Sequence, residues 1–287
     1  MNPSNQFKLL SVQLYWALIL SLLVSLSLGE TVDLPYYLQD RGLGQPTSMF
    51  ATYINEGEFI FYPFYEYYHD EDAEYNPEEF DYNLDVDFEA KFEGHEVLLF
   101  FGYGFSENFA VEFESAWMWA TQWKADEDGS DMPEKIEEDG LGDVEGQLRW
   151  RWNRETEQTP EYFSYLEIVF PLADEKKLIG TQDWEYKLGS GIIKGFAWGT
   201  LASRVAVEYD GEEGATELGE FALEYIRRWS PTWRTYTGVE GTADEVEFIV
   251  DLQYHFRPNA FIRINNAIGI TPAATDYAPE IGILFYF

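Results

Sequence analysis

The sequence contains no cysteine, only three histidines, and 18 Lys and Arg against 53 Asp and Glu, for a net charge of −35. Without cysteine, disulfides, thiolate nucleophiles and zinc sites with sulfur ligands are all excluded. A surface that binds nucleic acid needs clustered Lys and Arg, so no nucleic-acid partner is predicted. The excess of acid predicts either a surface that meets cations or a solvated rim.

Long apolar runs are also scarce, and the only one lies near the N-terminus. Residues 9–28 are mostly apolar, Lys8 precedes them, and Ser27 and Gly29 supply small residues near a cleavage point. This pattern predicts a cleavable signal peptide over residues 1–29, and therefore export. A single transmembrane helix is the alternative, since the run is long enough to span a bilayer. Polar residues within the run favour the signal peptide.

Aromatic residues, in contrast, are abundant. They make up 18% of the chain, with Trp 10, Tyr 20 and Phe 22. This content excludes a disordered chain despite the high net charge. A membrane barrel with aromatic girdles needs such a supply, whereas a soluble β-sandwich, the alternative, rarely places so many Trp and Tyr on outward positions.

The C-terminal stretch 278–287 reads A-P-E-I-G-I-L-F-Y-F. Alternate residues from Ile281 to Phe287 are apolar and form one face of a predicted strand. Chain ends are normally polar and frayed, so an aromatic strand here predicts pairing with the first strand of a closed sheet. The terminus resembles the last strand of bacterial outer-membrane barrels. That resemblance implies the barrel-assembly machinery as a partner, through Phe287.

Segments of alternating polarity recur along the rest of the chain. In residues 245–256, for example, Val246, Phe248 and Val250 share one face, and Glu247 and Asp251 lie on the other. A half-buried soluble strand gives the same alternation, but its repetition in about ten-residue segments is typical of a membrane barrel. We therefore predict an all-β fold: a transmembrane antiparallel up-and-down β-barrel of about 12 strands over residues 57–287, after the cleavable signal peptide. Residues 30–56 are predicted to form a periplasmic lead-in, either a short plug or a disordered arm.

The connections between these segments are of two kinds. The short ones are 106–108, 194–197, 230–232 and 257–259, and the long ones are 69–81, 124–142 and 173–183. Short periplasmic turns and long outer loops are the expected asymmetry, with 153–161 as a longer turn on the short side. Pro63 and Gly94 are predicted to mark bulges.

The predicted barrel must be closed, because no backbone group that faces hydrocarbon can stay unpaired. We therefore predict location in the outer membrane of a Gram-negative cell, with outer-membrane lipid as a partner. Trp and Tyr near strand ends are predicted to lie at the level of the headgroups.

Several short motifs appear in order along the middle strands. They are Tyr103–Asn108, Gly140–Val144 followed by Leu148–Trp152, Ile168–Leu172, Trp184–Gly191 and Trp198–Leu201. Together they resemble the outer-membrane proteins of the meta-pathway phenol-degradation family, in which a G-[IL]-G-D segment opens a strand. The resemblance covers about residues 95–287. It implies a barrel that passes or binds small, often hydrophobic molecules, and it implies no catalytic residues.

Charged residues of both signs are predicted to line the lumen. The candidates are Glu112, Glu114, Glu145, Arg149, Arg151, Glu167, Lys187, Arg204, Glu224, Arg228, Glu247 and Asp251. They form either a salt-bridge network that holds a narrow barrel together or a pore lining whose field selects a solute. A net acidic lumen would favour cations or zwitterions over anions.

We predict a passive channel or binding barrel for small solutes, either hydrophobic or cationic, without a cofactor. A structural or adhesive barrel with a filled lumen is the alternative, and an outer-membrane hydrolase is a weaker one. A hydrolase needs a His beside a Ser. His69 lies in a predicted loop, His95 has acidic neighbours, and no Ser is clearly placed beside His255, so we predict no enzyme and no catalytic residues. The acidic loops lack the spacing of a calcium-binding EF-hand, so no metal site is predicted.

Overall fold

Twelve antiparallel strands close into one barrel, in which the first strand pairs with the last. The computed structural model describes residues 34–173, 175–181, 183–211 and 214–287. The signal peptide predicted for residues 1–29 lies outside these residues. The barrel strands are β3 (Phe59–Tyr75), β4 (Phe88–Ser106), β5 (Phe109–Trp123), β6 (Lys135–Asn153), β7 (Glu161–Phe170), β8 (Glu185–Phe196), β9 (Gly199–Asp210), β10 (Ala215–Arg228), β11 (Trp233–Gly241), β12 (Val246–Arg257), β13 (Ala260–Gly269) and β14 (Tyr277–Tyr286).

In the part of the chain that the structure describes, there is little regular structure outside the barrel strands. Two strands of two residues, β1 (Gln45–Pro46) and β2 (Tyr53–Ile54), pair with each other. Short 3₁₀ helices cover Tyr36–Leu38 and Pro77–Phe80. Among the described residues, no helix is long and apolar enough to cross a membrane. The predicted all-β, up-and-down barrel of about 12 strands is confirmed.

Side-chain alternation explains the two faces of the wall. In β12, Ile249, Asp251 and Gln253 are buried inside, whereas Val250 and Leu252 are exposed on the outer surface. In β14, Glu280 and Leu284 are buried, and Ile281 and Ile283 point outward, as the C-terminal pattern predicted. Because side chains of a strand alternate between its faces, the charged residues collect inside and the apolar ones outside.

The exposed tryptophans form two belts on the outer surface. Trp152, Trp198, Trp229 and Trp233 lie near one end of the strands, and Trp117, Trp119 and Trp184 lie towards the other. Aromatic girdles at two levels are typical of a barrel that spans a bilayer.

The connections also divide between the two ends. At the short-turn end, the links are residues 107–108, 154–160, 197–198, 229–232 and 258–259. At the long-loop end, they are residues 76–87, 124–134, 171–184, 211–214, 242–245 and 270–276. The predicted asymmetry is therefore present, and the N-terminal end of β3 and the C-terminal end of β14 both lie at the short-turn end.

The predicted bounds of the acidic loops are wrong, because the strands continue through them. Strand β3 runs to Tyr75 rather than ending near residue 68, and β6 begins at Lys135 rather than near residue 144. The G-L-G-D motif therefore lies within β6 and does not open it. Crossing a bilayer needs only about 9–11 residues, and β4 and β6 each have 19. The surplus residues include many acids, such as Glu137, Glu138 and Asp139 of β6, and their backbone groups pair as well as those of apolar residues.

The predicted bulges at Pro63 and Gly94 are also wrong. The register of β3 with β4 is continuous through Pro63↔Leu99, and that of β4 with β5 is continuous through Gly94↔Ala120. At Gly94 the reason for glycine is space, since a Cβ there would lie 3.2 Å from the Phe92 ring and 3.3 Å from the Tyr68 ring.

Candidate functional site

Residues 34–58, which we call the inner segment, pack against inward-facing side chains of the barrel. The β1–β2 hairpin presents Phe50 at its tip, and that ring stacks on Tyr236 of β11 with a centroid distance of 5.0 Å. Ile54 is buried in one cluster with Ile60 and Phe100 of the wall. The inner segment thus occupies the short-turn half of the lumen.

Buried ion pairs attach the inner segment at the short-turn end. Arg41 Nη2 donates to Glu161 at 2.8 Å and to Glu155 at 3.1 Å, and all three side chains are fully or almost fully buried. Arg151 Nη1 donates to the Leu43 carbonyl at 3.0 Å. Burial alone lowers the pKa of Arg41, but the Glu161 carboxylate, with Tyr53 and Glu155, outweighs it and holds that pKa above its ordinary value. Arg41 is therefore a charged group held inside the protein.

Asp40 and Ser48 attach the inner segment to other parts of the wall. The Asp40 carboxylate accepts hydrogen bonds from the Arg228 backbone N–H at 2.7 Å and from the Thr200 hydroxyl at 3.3 Å. The backbone N–H and hydroxyl of Ser48 both donate to Glu112 Oε2, at 2.8 and 2.6 Å. Glu112 Oε1 lies 3.3 Å from Arg149 Nε, so this carboxylate joins the inner segment to a basic residue of β6.

All twelve predicted lumen-lining residues lie on the inward face of their strands. The largest group surrounds Arg204, which makes ion pairs with Glu220, Glu224 and Glu240. Its guanidinium also lies 5.9 Å from the centre of the Phe50 ring. On the neighbouring strand β8, Lys187 Nζ lies 3.0 Å from Glu167 and 3.8 Å from Glu208.

The sequence interpretation missed one central member of this network, Arg263. Its side chain is fully buried, pairs with Asp251 and lies 3.8 Å from Glu280. The guanidinium also lies 5.1 Å from the centre of the Phe50 ring. Strand β13 had the weakest alternation because Asn266 shares the outward face with isoleucines, and this obscured the inward position of Arg263.

A cavity remains on the long-loop side of the inner segment. Its volume is about 250 Å³, and we call it the acidic chamber. Its wall comes from β4 to β8 and from the loop 171–184 between β7 and β8, of which residues 174 and 182 are not described. Carboxylates and apolar side chains line it together: Glu96, Glu114, Asp143, Glu145 and Glu185, with Leu98, Met118, Val169, Leu178 and Ile179.

The β7–β8 loop is attached to the wall by two carboxylates. Asp143 accepts hydrogen bonds from Ala173 N at 2.8 Å and Thr181 N at 2.6 Å, and Glu138 accepts from Leu178 N at 2.8 Å. A Cβ at Gly142 would lie 2.8 Å from Met118 Sδ and 3.1 Å from the Ile179 carbonyl. The motif G-L-G-D thus supplies both the space and the acceptor that bring this loop over the chamber.

The three histidines lie apart from the chamber. His95 Nδ1 lies 2.7 Å from the Tyr65 hydroxyl, and His69 Nδ1 lies 3.2 Å from the Tyr67 hydroxyl, on the outer surface. His255 packs against the Phe261 ring with a centroid distance of 4.7 Å. Within the described ranges, no group of three or more His, Asp and Glu is placed to hold a metal ion.

Comparisons with known proteins agree with the fold. The structure is similar to the crystal structure of the COG4313 outer membrane channel from Pseudomonas putida F1, with a TM-score of 0.57 and 12% identity over 82% of this chain and 97% of that one. It also matches the translocator domain of autotransporter NalP from Neisseria meningitidis, with a TM-score of 0.49 and 12% identity over 82% of this chain and 90% of that one. The fold assignment rests on the first. No protein-family model and no curated protein sequence matches the chain.

Proposed function

We propose that this protein is an outer-membrane channel through which small solutes diffuse passively. The observation that carries the proposal is the combination of an apolar outer wall with a charged interior in which an open chamber remains. A similar fold occurs in a solved outer membrane channel, which supports the location and the class of function. The motifs of the middle strands resemble the meta-pathway phenol-degradation family, except that G-L-G-D lies within β6 instead of opening it. The proposal assigns no catalytic step to the barrel.

The proposed route follows the wall formed by β4 to β7. It starts in the acidic chamber and continues towards Glu112, Glu114 and Glu167, which line a narrower space beside Ser48. At this narrower space the inner segment closes the proposed route, because Ser48 makes two hydrogen bonds to Glu112 there. Conduction therefore requires the tip of the inner segment to move, while the ion pairs of Arg41 hold its other end at the short-turn end.

The charge of this route favours cations. Five carboxylates line the chamber, and the same lining contains no Lys or Arg among the described residues. In a narrow, low-dielectric passage, rings of carboxylates admit cations and repel anions. Neutral solutes are expected to pass more slowly than cations of the same size.

Planar-bilayer recording with the purified, refolded protein tests the proposal. In a KCl gradient we expect discrete conductance steps and a reversal potential displaced towards that of potassium. An absence of conductance over a wide range of applied voltage would contradict a channel. A reversal potential displaced towards chloride would contradict the cation preference.

A structural barrel with a filled lumen is a second candidate, and one observation favours it. The inner segment and the networks around Arg204 and Arg263 fill much of the short-turn half of the lumen. A barrel of this kind would give no conductance in the bilayer experiment and no swelling of proteoliposomes in any solute. Conductance in planar bilayers therefore distinguishes the two candidates.

A further inference from the structure

We propose that the acidic chamber is a binding site for a small organic cation with an apolar body, such as a primary ammonium on an aromatic or short aliphatic group. The inference rests on the proposed channel, because it assigns a solute class to the chamber at the start of the route. It is carried by three features of the chamber: opposed carboxyl groups, buried polar groups without a basic donor, and an apolar surface.

The opposed carboxylates belong to Glu114 of β5 and Glu145 of β6, which are direct cross-strand partners. Like charges directly opposite on neighbouring strands are destabilising. Arg149, a basic residue of the same wall, faces Glu112, and Lys187 is engaged by Glu167 at 3.0 Å. A hydrogen bond now joins the Glu114 and Glu145 carboxyl groups, and an ammonium group between them would let both ionise without repulsion.

These polar groups have no basic donor from the protein. Ser115 Oγ is shielded from solvent and makes no hydrogen bond within the part of the chain that the structure describes, and the buried Glu114 carboxyl group is hydrogen-bonded to the Glu145 carboxyl group, which is another acid. All three residues line the chamber. Two carboxyl groups hydrogen-bond to each other only when one of them holds a proton, and an ammonium group, which carries three donors, could replace that proton and also satisfy a neighbouring acceptor.

The apolar surface distinguishes an organic cation from an inorganic one. Leu98, Met118, Val169 and Ile179 line the chamber beside the carboxylates. A hydrated metal ion would leave these side chains facing water, whereas an apolar body removes them from it. The volume of about 250 Å³ lies below the usual 300–1,000 Å³ of sites for drug-sized ligands, so the ligand must be small.

Matched probes test the charge requirement directly. The mature protein, refolded in detergent micelles, is titrated with 2-phenylethylammonium, and then with 3-phenylpropionate and 2-phenylethanol, which have a similar body and a negative or no charge. Isothermal titration calorimetry should show one saturable site for the ammonium compound and at least tenfold weaker binding of the other two. Equal binding of all three, or no saturable binding of the ammonium compound, would overturn the inference.

Variants test the location. Glu114→Gln and Glu145→Gln should each weaken binding of 2-phenylethylammonium by about tenfold, and Val169→Phe should abolish it by filling the chamber without changing its charge. Glu78→Gln, in the loop 76–87, removes an acid that does not line the chamber and should leave binding unchanged. Equal loss in Glu78→Gln and Glu114→Gln would place the site elsewhere. A heat-dependent shift in gel mobility reports folding of each variant.

The two proposals fail separately. If the ammonium probe binds and the bilayer shows no conductance, the chamber is a binding site and the channel is wrong. If conductance is present and the probes bind without regard to charge, the channel stands and the organic-cation site is wrong.

Discussion

Arg41 Nη2 lies 2.8 Å from the Glu161 carboxylate, and this buried pair joins residues that are 120 positions apart in the chain. It holds the inner segment against β7 at the short-turn end of the barrel. Glu161 also lies 3.4 Å from Arg151, so one carboxylate is shared by a residue of the inner segment and a residue of β6. The inner segment is thus attached by ion pairs at Arg41 and, within the lumen, by the stacking of Phe50 on Tyr236.

The substitution Arg41→Met is expected to destabilise the folded protein by about 3–5 kcal/mol, because it leaves buried carboxylates without their partner. Urea unfolding of the refolded protein measures this. Arg154→Met is the matched control, since Arg154 also lies 2.8 Å from an acid, Glu107, but both side chains are about half exposed. A cost of about 0–1 kcal/mol is expected there. Equal costs for the two variants would show that the Arg41 pair does not hold the structure.

A charge on the outer wall tests its contact with lipid. Leu252 lies near the middle of β12 and points outward. Leu252→Arg is expected to cost about 2–4 kcal/mol when the protein is folded in lipid vesicles, because an arginine near the bilayer midplane must leave water. Glu78→Arg, in a long-end loop, should have little effect. An unchanged stability for Leu252→Arg in vesicles would argue against a transmembrane wall.

The loop 124–134 should lose stability at low pH. Burial raises the pKa of Asp128, but hydrogen bonds from the Ser130 backbone N–H at 2.7 Å and from the Tyr75 hydroxyl at 3.0 Å outweigh it and hold that pKa below its usual 3.8. A carboxylate with a lowered folded-state pKa stabilises the folded form above its unfolded value, and this contribution is lost as pH falls through the folded value.

Hydrogen-exchange protection of the loop amides, corrected for intrinsic rates, should therefore fall below about pH 4. In Asp128→Asn this change with pH should be much smaller. Protection that changes equally with pH in both proteins would assign the effect to other groups.

Gly94 should resist substitution, although its backbone is regular. A Cβ there would press on the Phe92 and Tyr68 rings, so Gly94→Val is expected to cost about 1–3 kcal/mol through overpacking. Gly129→Ala is the control, because a Cβ at Gly129 would have nothing within 4 Å. Urea unfolding compares the two. A Gly94→Val protein as stable as Gly129→Ala would show that the rings move aside freely.

Periodicity made the barrel predictable. Period-two alternation placed Asp251 inside and Val250 outside, and the aromatic C-terminal strand predicted closure. Strand ends at the long-loop side were not predictable in this way, because a ladder of backbone hydrogen bonds tolerates acidic residues such as those of β6. The bulge predicted at Gly94 is wrong because sequence alone does not show that the Tyr68 ring of β3 and the Phe92 ring of β4 leave little space for a side chain there.

The conformation of the inner segment was the part of the structure that the sequence predicted least well. It carries Pro35, Gly42 and Gly44 and has no periodicity, so a plug and a disordered arm could not be distinguished from the sequence. Its position depends on contacts across more than a hundred residues, such as that of Arg41 with Glu161. The acidic chamber was not predictable for the same reason. It forms where the β7–β8 loop contacts the barrel wall, and that contact includes the hydrogen bond from Thr181 N to Asp143.

The most direct test of the account fixes the inner segment in place. Because the chain contains no cysteine, Ser48→Cys and Glu112→Cys can be combined and joined by a short bis-methanethiosulfonate reagent, which forms a reducible disulfide with each cysteine and releases methanesulfinate, with Ser48→Cys alone as control. In planar bilayers the account predicts low conductance while the pair is joined and a marked rise, in the same membrane, after reduction. Equal conductance before and after reduction would contradict a channel that the inner segment closes.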